Sequence, residues 1–381
     1  MNIAVLGAGM VGRAIAEDLV KQYSVTSIDR CEAALKKLSG RNPEIRTLVY
    51  DLRANEDYTV LLQPFDMVVT AVPGFMGYET VKKVITAGKN IVDISFSPED
   101  ILQLDALAKE KNVTAIVDFG VAPGMSNLVL GRYNEEMNVQ NFECYVGGLP
   151  KKRKKPFEYK APFSPIDVIE EYTRPARLQE SGRVVIKPAL TEVELLEFEE
   201  IGQLEAFNTD GLRSLLFTMS HIPNMKEKTL RYPGHSKLIA DLQSAGFFDT
   251  DPVNVKGVPV SPLEFSSSLL FKEWQLLPEE EEFTVMKITV EGEKDKQPVR
   301  VSYSLLDQYD KVSQTSSMAR STGYTCTAGV NLLVNKQFTE KGVFPPEFVG
   351  KSKACFDFVL RYLKERGVNW KKEQQVAAVS L

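Results

Sequence analysis

Residues 3–12 read Ile3-Ala4-Val5-Leu6-Gly7-Ala8-Gly9-Met10-Val11-Gly12, an apolar run that ends in a GxGxxG turn. Four consecutive apolar residues suit a strand buried on both faces of a parallel sheet. Beyond the turn, Ile15, Leu19 and Tyr23 recur at helical spacing, with Ala16 and Val20 beside them. Each glycine has a task in such a strand–turn–helix unit. Gly7 permits the tight turn, Gly9 lets the backbone approach a pyrophosphate, and Gly12 lets helix and strand pack closely. The helix start at Met10 and Val11 then turns its positive end toward the phosphates. The next strand, Val25 to Ile28, ends in Asp29, seventeen residues past Gly12. A carboxylate there accepts hydrogen bonds from both hydroxyls of a ribose. It repels a 2'-phosphate and so favours NAD, while the adjacent Arg30 keeps NADP possible.

Working outward, four more β-rich runs follow: Thr47 to Tyr50, Met67 to Val72, Asn90 to Ile94 and Val113 to Val117. Helical stretches around Tyr58, from Thr80 to Ala87 and from Pro98 to Lys111 separate them. This alternation predicts a Rossmann domain over residues 1–122, a doubly wound parallel sheet of the α/β class. Ligands of such sheets sit at the carboxyl ends of the strands. That adds the loop Ala71-Val72-Pro73, Ser95 and Asp51 to the cofactor candidates, Asp51 being equally readable as a surface turn.

After Gly120 the texture changes. Pro123-Gly124 punctuates the chain, a helix is predicted from Ser126 to Tyr133, and Phe142 to Val146 reads as a strand. Phe283 to Val290 and Val299 to Leu305 alternate apolar and polar residues, the pattern of an antiparallel sheet with one wet face. Residues 123–317 are therefore expected to form an α+β domain, with a mostly antiparallel sheet, for substrate binding and dimerisation. Two helical stretches, Met318 to Leu333 and Lys353 to Lys364, are expected to return and complete the first domain over 318–381.

Composition narrows the function classes. The 381 residues suit two domains. A hydrophobic share of 43% and a charged share of 25% are those of a globular chain, and the formal charge of -5 gives no global attraction to nucleic acid or anionic membrane. No apolar run approaches the ~20 residues of a membrane span, and no secretory leader is legible, so a cytoplasmic protein is expected. Four scattered cysteines and two histidines offer no metal-ligand spacing, so no metal is expected and the thiols read as reduced. The basic run Lys151 to Lys155 reads as a solvated loop, or as a lure for an acidic substrate.

Three later stretches carry a resemblance: VDFGVAPGMSN (Val117 to Asn127), CYVGGLP (Cys144 to Pro150) and LRYPGH (Leu230 to His235). With the glycine turn, and with LEAFNTDGLRSL (Leu204 to Leu215) and GVFPPE (Gly342 to Glu347), they resemble the saccharopine dehydrogenase family. The branch containing lysine 6-dehydrogenases looks nearest. The glutamate-forming saccharopine dehydrogenases usually carry an aspartate where Ala122 stands here. The resemblance implies hydride transfer between a nicotinamide and a carbon bearing nitrogen. In the lysine reading the ε-carbon is oxidised and hydrolysis yields allysine and ammonia. Saccharopine and carboxynorspermidine are the alternative substrates, and a non-catalytic NAD-binding sensor is the alternative of another class. A homodimer is the expected assembly.

Oxidation of an amine needs the nitrogen lone pair, so the site must remove a proton from an ammonium. His235 is the first candidate base, because it lies in the LRYPGH stretch and imidazole titrates near neutrality. Asp118, at the end of a predicted strand beside the cleft, is the second. For a substrate carboxylate the candidates are Arg213, Arg231 and Arg320, with the helix start at Ser126 as another anion-friendly place. Tyr145, Gly147 and Gly148 of the CYVGGLP stretch are expected to pass close to substrate. Glu171 and Tyr172 are candidates for facing an α-amino group.

Overall fold

The computed structural model describes residues 1–54 and 57–376. The first domain supplies β1 (Asn2–Leu6), β2 (Ser24–Asp29), β3 (Arg46–Val49), β4 (Met67–Thr70), β5 (Asn90–Asp93) and β6 (Thr114–Ile116). The second supplies β7 (Asn138–Pro150), β8 (Ala176–Glu180), β9 (Arg183–Lys187), β10 (Glu194–Phe198), β11 (Gly202–Asn208) and β12 (Asn224–Arg231). A small hairpin, β13 (Val253–Val255) and β14 (Val258–Val260), precedes the long pair β15 (Glu282–Lys294) and β16 (Gln297–Gln308). Two further strands, β17 (Gly342–Phe344) and β18 (Lys371–Val376), come from the last forty residues.

The first sheet runs β17-β6-β5-β4-β1-β2-β3 with every neighbour parallel. Ile3 to Leu6 are fully buried, as the unbroken apolar run requires of a strand covered on both faces. From β1 the chain winds to β2 on one side and β4 on the other. The crevice of this reversal opens beyond Leu6 and Thr70, where the GxGxxG turn lies.

The second sheet runs β10-β11-β12-β7-β15-β16-β18, with β8 and β9 branching from β12. All of its pairs are antiparallel except β12 with β7. On β16 the residues Val299, Val301, Tyr303 and Leu305 are buried while their neighbours are more exposed, so period-two patterning marked a strand with one covered face. The fold class read from the sequence is thus the one observed.

The segment after 317 serves both domains. The helix Ser317–Val334 packs against the helix Met10–Leu19, with Gly323 so near Ile15 that an added Cβ would stand 3.3 Å from its Cγ1. Asp18 ties the two regions further, accepting hydrogen bonds from Thr327, Tyr362 and Arg366. Strand β17 extends the first sheet beside β6. Strand β18, however, pairs with β16 at the edge of the second sheet, unlike the expected return of all of 318–381 to the first. Its residues Lys371 to Gln375 are polar and exposed, so no apolar pattern announces which sheet it joins. Residues 377–381 lie outside the described residues.

Candidate active site

A cavity of about 530 Å³ opens between the domains. Gly7, Gly9, Met10, Val11, Gly12, Asp29, Arg30, Asp51 and the loop Ala71-Val72-Pro73 form one wall. Gly147, Gly148, Glu171, Glu227 and Arg231 are on the other. Its size is that of pockets that enclose a small organic ligand.

The glycine wall fits a dinucleotide. A Cβ on Gly7 would stand 2.3 Å from the Ala71 carbonyl oxygen, and one on Gly12 would stand 2.1 Å from that of Gly7. Both glycines are therefore demanded by the fold. A Cβ on Gly9 would meet nothing within 4 Å, because it would project into the space a pyrophosphate needs. Gly9 also caps the helix Met10–Leu19 without a side-chain hydrogen bond, leaving the first backbone donors to the cleft. Asp29 accepts from the backbone N–H groups of Ala8 (2.7 Å) and Cys31 (2.8 Å), which fixes its carboxylate at the rim. Arg30 is exposed beside it. Asp51 lines the rim too, paired with Arg53, whose side chain holds its carboxyl down at about 2. Ser95 does not line the cleft. It is buried under Gly77, where a Cβ would come within 2.7 Å of the serine Cβ.

On the opposite wall, alternate residues of β12 (Glu227, Thr229 and Arg231) face the cavity. Gly147 and Gly148 lie within β7, not in a turn. Added Cβ atoms would meet the Leu230 carbonyl oxygen at 2.5 Å and Pro162 at 2.6 Å. Their absence lets β7 lie flat against its neighbours. Tyr145, one residue before Val146 on this strand, points to the other face, where its hydroxyl donates to Glu194 (3.2 Å).

Several expected site residues stand elsewhere. Asp118 and Arg213 form a buried two-point ion pair (3.0 and 3.1 Å), and Arg213 also donates to the Ser97 carbonyl (2.6 Å). The pair braces the two domains beside the cleft, so neither expected role, base or carboxylate clamp, fits its place. Arg320 donates to the carbonyls of Gln308 and Arg366 and lies 3.6 Å from Asp307, fastening the C-terminal segment. Ser126 is buried, with its hydroxyl donating to Asn127.

His235 likewise misses the cleft wall. Its Nε2 faces the Tyr172 hydroxyl (2.9 Å), and that oxygen accepts from Arg231 Nε (3.0 Å). A guanidinium only donates, so the tyrosine proton goes to Nε2, and Nδ1–H donates to the Phe157 carbonyl (2.9 Å). Burial, followed by the Arg231 charge, pushes the imidazole down to about 3. A ring that stays neutral and is closed in by Tyr159, Tyr172 and Trp274 is a positioning residue for Tyr172 and Arg231. The basic loop is also locally compensated: Lys151 pairs with Glu281, Arg153 with Glu158 and Lys154 with Glu273.

Glu171, a candidate from the sequence, lines the cavity as one member of an acidic wall whose other members the sequence did not announce. Asp167, Glu170, Glu171, Asp210 and Glu227 all line the cavity, with Arg174 and Arg231 among them. Glu170 pairs with Arg174, and Arg177 grips Asp210 through two hydrogen bonds (2.9 and 2.8 Å). Glu171 pairs with Arg231 (3.1 Å), and burial pushes its carboxyl up. Asp167 accepts from the Gly74 N–H (3.3 Å), and burial with the Glu170 charge raises it to about 6.

Two family models cover this architecture. Residues 3–116 match the saccharopine dehydrogenase NADP binding domain and residues 120–368 match the saccharopine dehydrogenase C-terminal domain. The chain belongs to the saccharopine dehydrogenase family. Its first domain is this family's NAD(P)-binding domain. Among curated relatives, the mitochondrial alpha-aminoadipic semialdehyde synthase of Bos taurus is 20% identical over 448 residues, spanning 98% of this chain and 48% of that protein. The NADP(+), L-glutamate-forming saccharopine dehydrogenase of Pyricularia oryzae is 24% identical over 263 residues, spanning 66% and 58%. The chain thus spans about half the length of the curated relatives it matches. The apo L-Glu-forming saccharopine dehydrogenase of Saccharomyces cerevisiae superposes with a TM-score of 0.79 at 18% identity, covering 98% of this chain and 99% of that one. The homospermidine synthase of Legionella pneumophila, in complex with NAD, gives 0.67 at 11% identity, covering 99% and 91%. At these identities the two structures show the shared fold. No helix among the described residues is long and apolar enough to cross a membrane.

Proposed function

We propose that this family member is an NAD(P)-dependent dehydrogenase that oxidises a carbon bearing nitrogen in an amino acid, L-lysine at its ε-carbon. The supporting observation is the single cleft that puts the glycine loop opposite a wall of carboxylates. An oxidised nicotinamide bound there supplies the hydride acceptor. The chain's own residues seat the pyrophosphate (Gly9, Met10), grip the ribose (Asp29) and hold a cationic arm (Asp167, Glu171, Asp210, Glu227).

Charge favours lysine. Among the described residues, five acidic side chains of the second-domain wall face two arginines, with Arg177 behind Asp210, so acids outnumber these cations by two. A substrate with two amines and one carboxylate complements such a wall better than saccharopine, which brings three carboxylates. Arg174, one-fifth exposed and stacked over Phe96, is the cation best placed for a single carboxylate. Saccharopine is the second reading, supported by the activity named for the Pyricularia oryzae relative.

Lysine, saccharopine and carboxynorspermidine, each offered with NAD and with NADP, separate these readings by the absorbance of reduced nicotinamide. Lysine is expected to give the highest kcat/KM. Activity with saccharopine alone replaces the substrate, and binding of the dinucleotide without reduction beside any of the three leaves the sensor.

A further inference from the structure

Four of the five carboxylates on the second-domain wall are held by arginines or a backbone N–H; the fifth is not. Glu227 is only 5% exposed, and its Oε2 has no hydrogen-bond partner among the described residues. Its place is built into the fold. Strand β12 turns Glu227 to the cleft with Thr229 and Arg231. The chain leaving β11 passes over it at Gly211, where a Cβ would stand 1.8 Å from Glu227 Oε1, so a larger residue there would push the carboxylate aside. Beside it in register on β7 is Cys144, a thiol that burial pushes well up and keeps protonated. The other charged groups facing it are Glu171 from the helix Pro165–Thr173, Asp210 and Arg213 from the segment after β11, and Arg231 on its own strand.

We propose that Glu227 is the base that takes the proton from the substrate's ammonium, an assignment that rests on the amine-oxidising function proposed above. The N–H bond breaks, its proton forms an O–H bond on Glu227, and the electron pair stays on nitrogen. The C–H bond then breaks and its pair leaves as hydride for the oxidised nicotinamide dinucleotide, while the nitrogen lone pair closes C=N. Carbon is oxidised and nicotinamide reduced by the same two electrons; water then displaces ammonia. Burial, followed by the charges of Glu171 and Asp210, pushes the Glu227 carboxyl up to about 8, which brings it toward the range of an amine and makes the exchange efficient.

Glu227→Gln keeps the shape and removes the proton acceptor. With the amine that wild type oxidises best, kcat/KM is expected to fall about a hundredfold and to lose its rise through about pH 8, with NAD(P) affinity unchanged. Glu227→Asp keeps that rise. A second readout needs no turnover. The unfolded glutamate ionises near 4.5, whereas the folded one holds its proton to about 8, so wild type loses stability across that interval and Glu227→Gln does not. The Tm of wild type is therefore expected to fall relative to the variant as pH rises through it. Parallel Tm curves overturn the proposal, as does a variant that keeps the pH rise and a kcat/KM within about threefold of wild type. A wild type that binds dinucleotide but oxidises no amine overturns the functional reading, and the base role with it.

Discussion

A Gly9→Val protein is expected to fold as the wild type does and to lose its dinucleotide. The added side chain would start where nothing lies within 4 Å, so neither the turn nor the helix Met10–Leu19 has to move. It would occupy the approach to the free backbone donors at the helix start, which a pyrophosphate must reach within hydrogen-bond distance. Binding of NAD and NADP, measured by calorimetry, should weaken by at least about a thousandfold, roughly 4 kcal/mol. The Tm should stay within about 2 °C of wild type, as for a surface substitution. Gly12→Val is the contrast: its Cβ alone would sit 2.1 Å from a backbone oxygen, so it loses fold and ligand together. Equal dinucleotide affinity in Gly9→Val would remove the glycine loop from the binding site.

Arg213→Ala is expected to destabilise the protein strongly. Arg213 and Asp118 are both under a tenth exposed, and the guanidinium also lies over the Phe96 ring, 4.5 Å from its centre. Removing the cation leaves a buried carboxylate without its counter-charge, a cost of about 3–5 kcal/mol. Urea unfolding should show a lower midpoint with an unchanged slope. A midpoint equal to that of wild type would mean that the pair does not brace the domains. The same geometry governs how an Asp118 variant is read: lost activity there reports a weakened brace, because Asp118 does not line the main cleft.

The parts of this molecule that were legible in the sequence are those dictated by local rules. The turn Gly7 to Gly12 and the acid Asp29 follow from backbone sterics and strand length, and they stand where those rules put them. The parallel strands β1 and β4 carry unbroken apolar runs, and β16 alternates, because each pattern records how many faces are covered. Strand β9 shows the limit: Val184 and Ile186 are exposed, so its apolar residues mark no core. Strand β12 reads Lys226-Glu227-Lys228-Thr229 and resembles a charged surface run. Burial of Glu227 on one face and of Lys228 against Glu194 on the other is set by neighbours far along the chain.

The candidate catalytic residues His235 and Asp118 stand off the cleft wall for a related reason. A motif gives an address along the chain but not a side-chain direction. Tyr145 and Val146 are adjacent in CYVGGLP, yet only Val146 faces the cleft. His235 begins the helix His235–Ser244 with its ring turned into an aromatic cluster, so its role is to hold Tyr172 beside Arg231. The acidic wall draws on the helix Pro165–Thr173, the turn after β11 and strand β12. No spacing within one segment foretells their meeting; the topology of the second sheet brings them together.

The most direct measurement uses lysine carrying deuterium at both positions of its ε-carbon, with oxidised dinucleotide in ordinary water, followed by mass spectrometry of the reduced dinucleotide. One deuteron in the nicotinamide ring is expected. Reduced dinucleotide without deuterium, or dinucleotide that binds and stays oxidised, would contradict hydride transfer from the carbon beside nitrogen across this cleft.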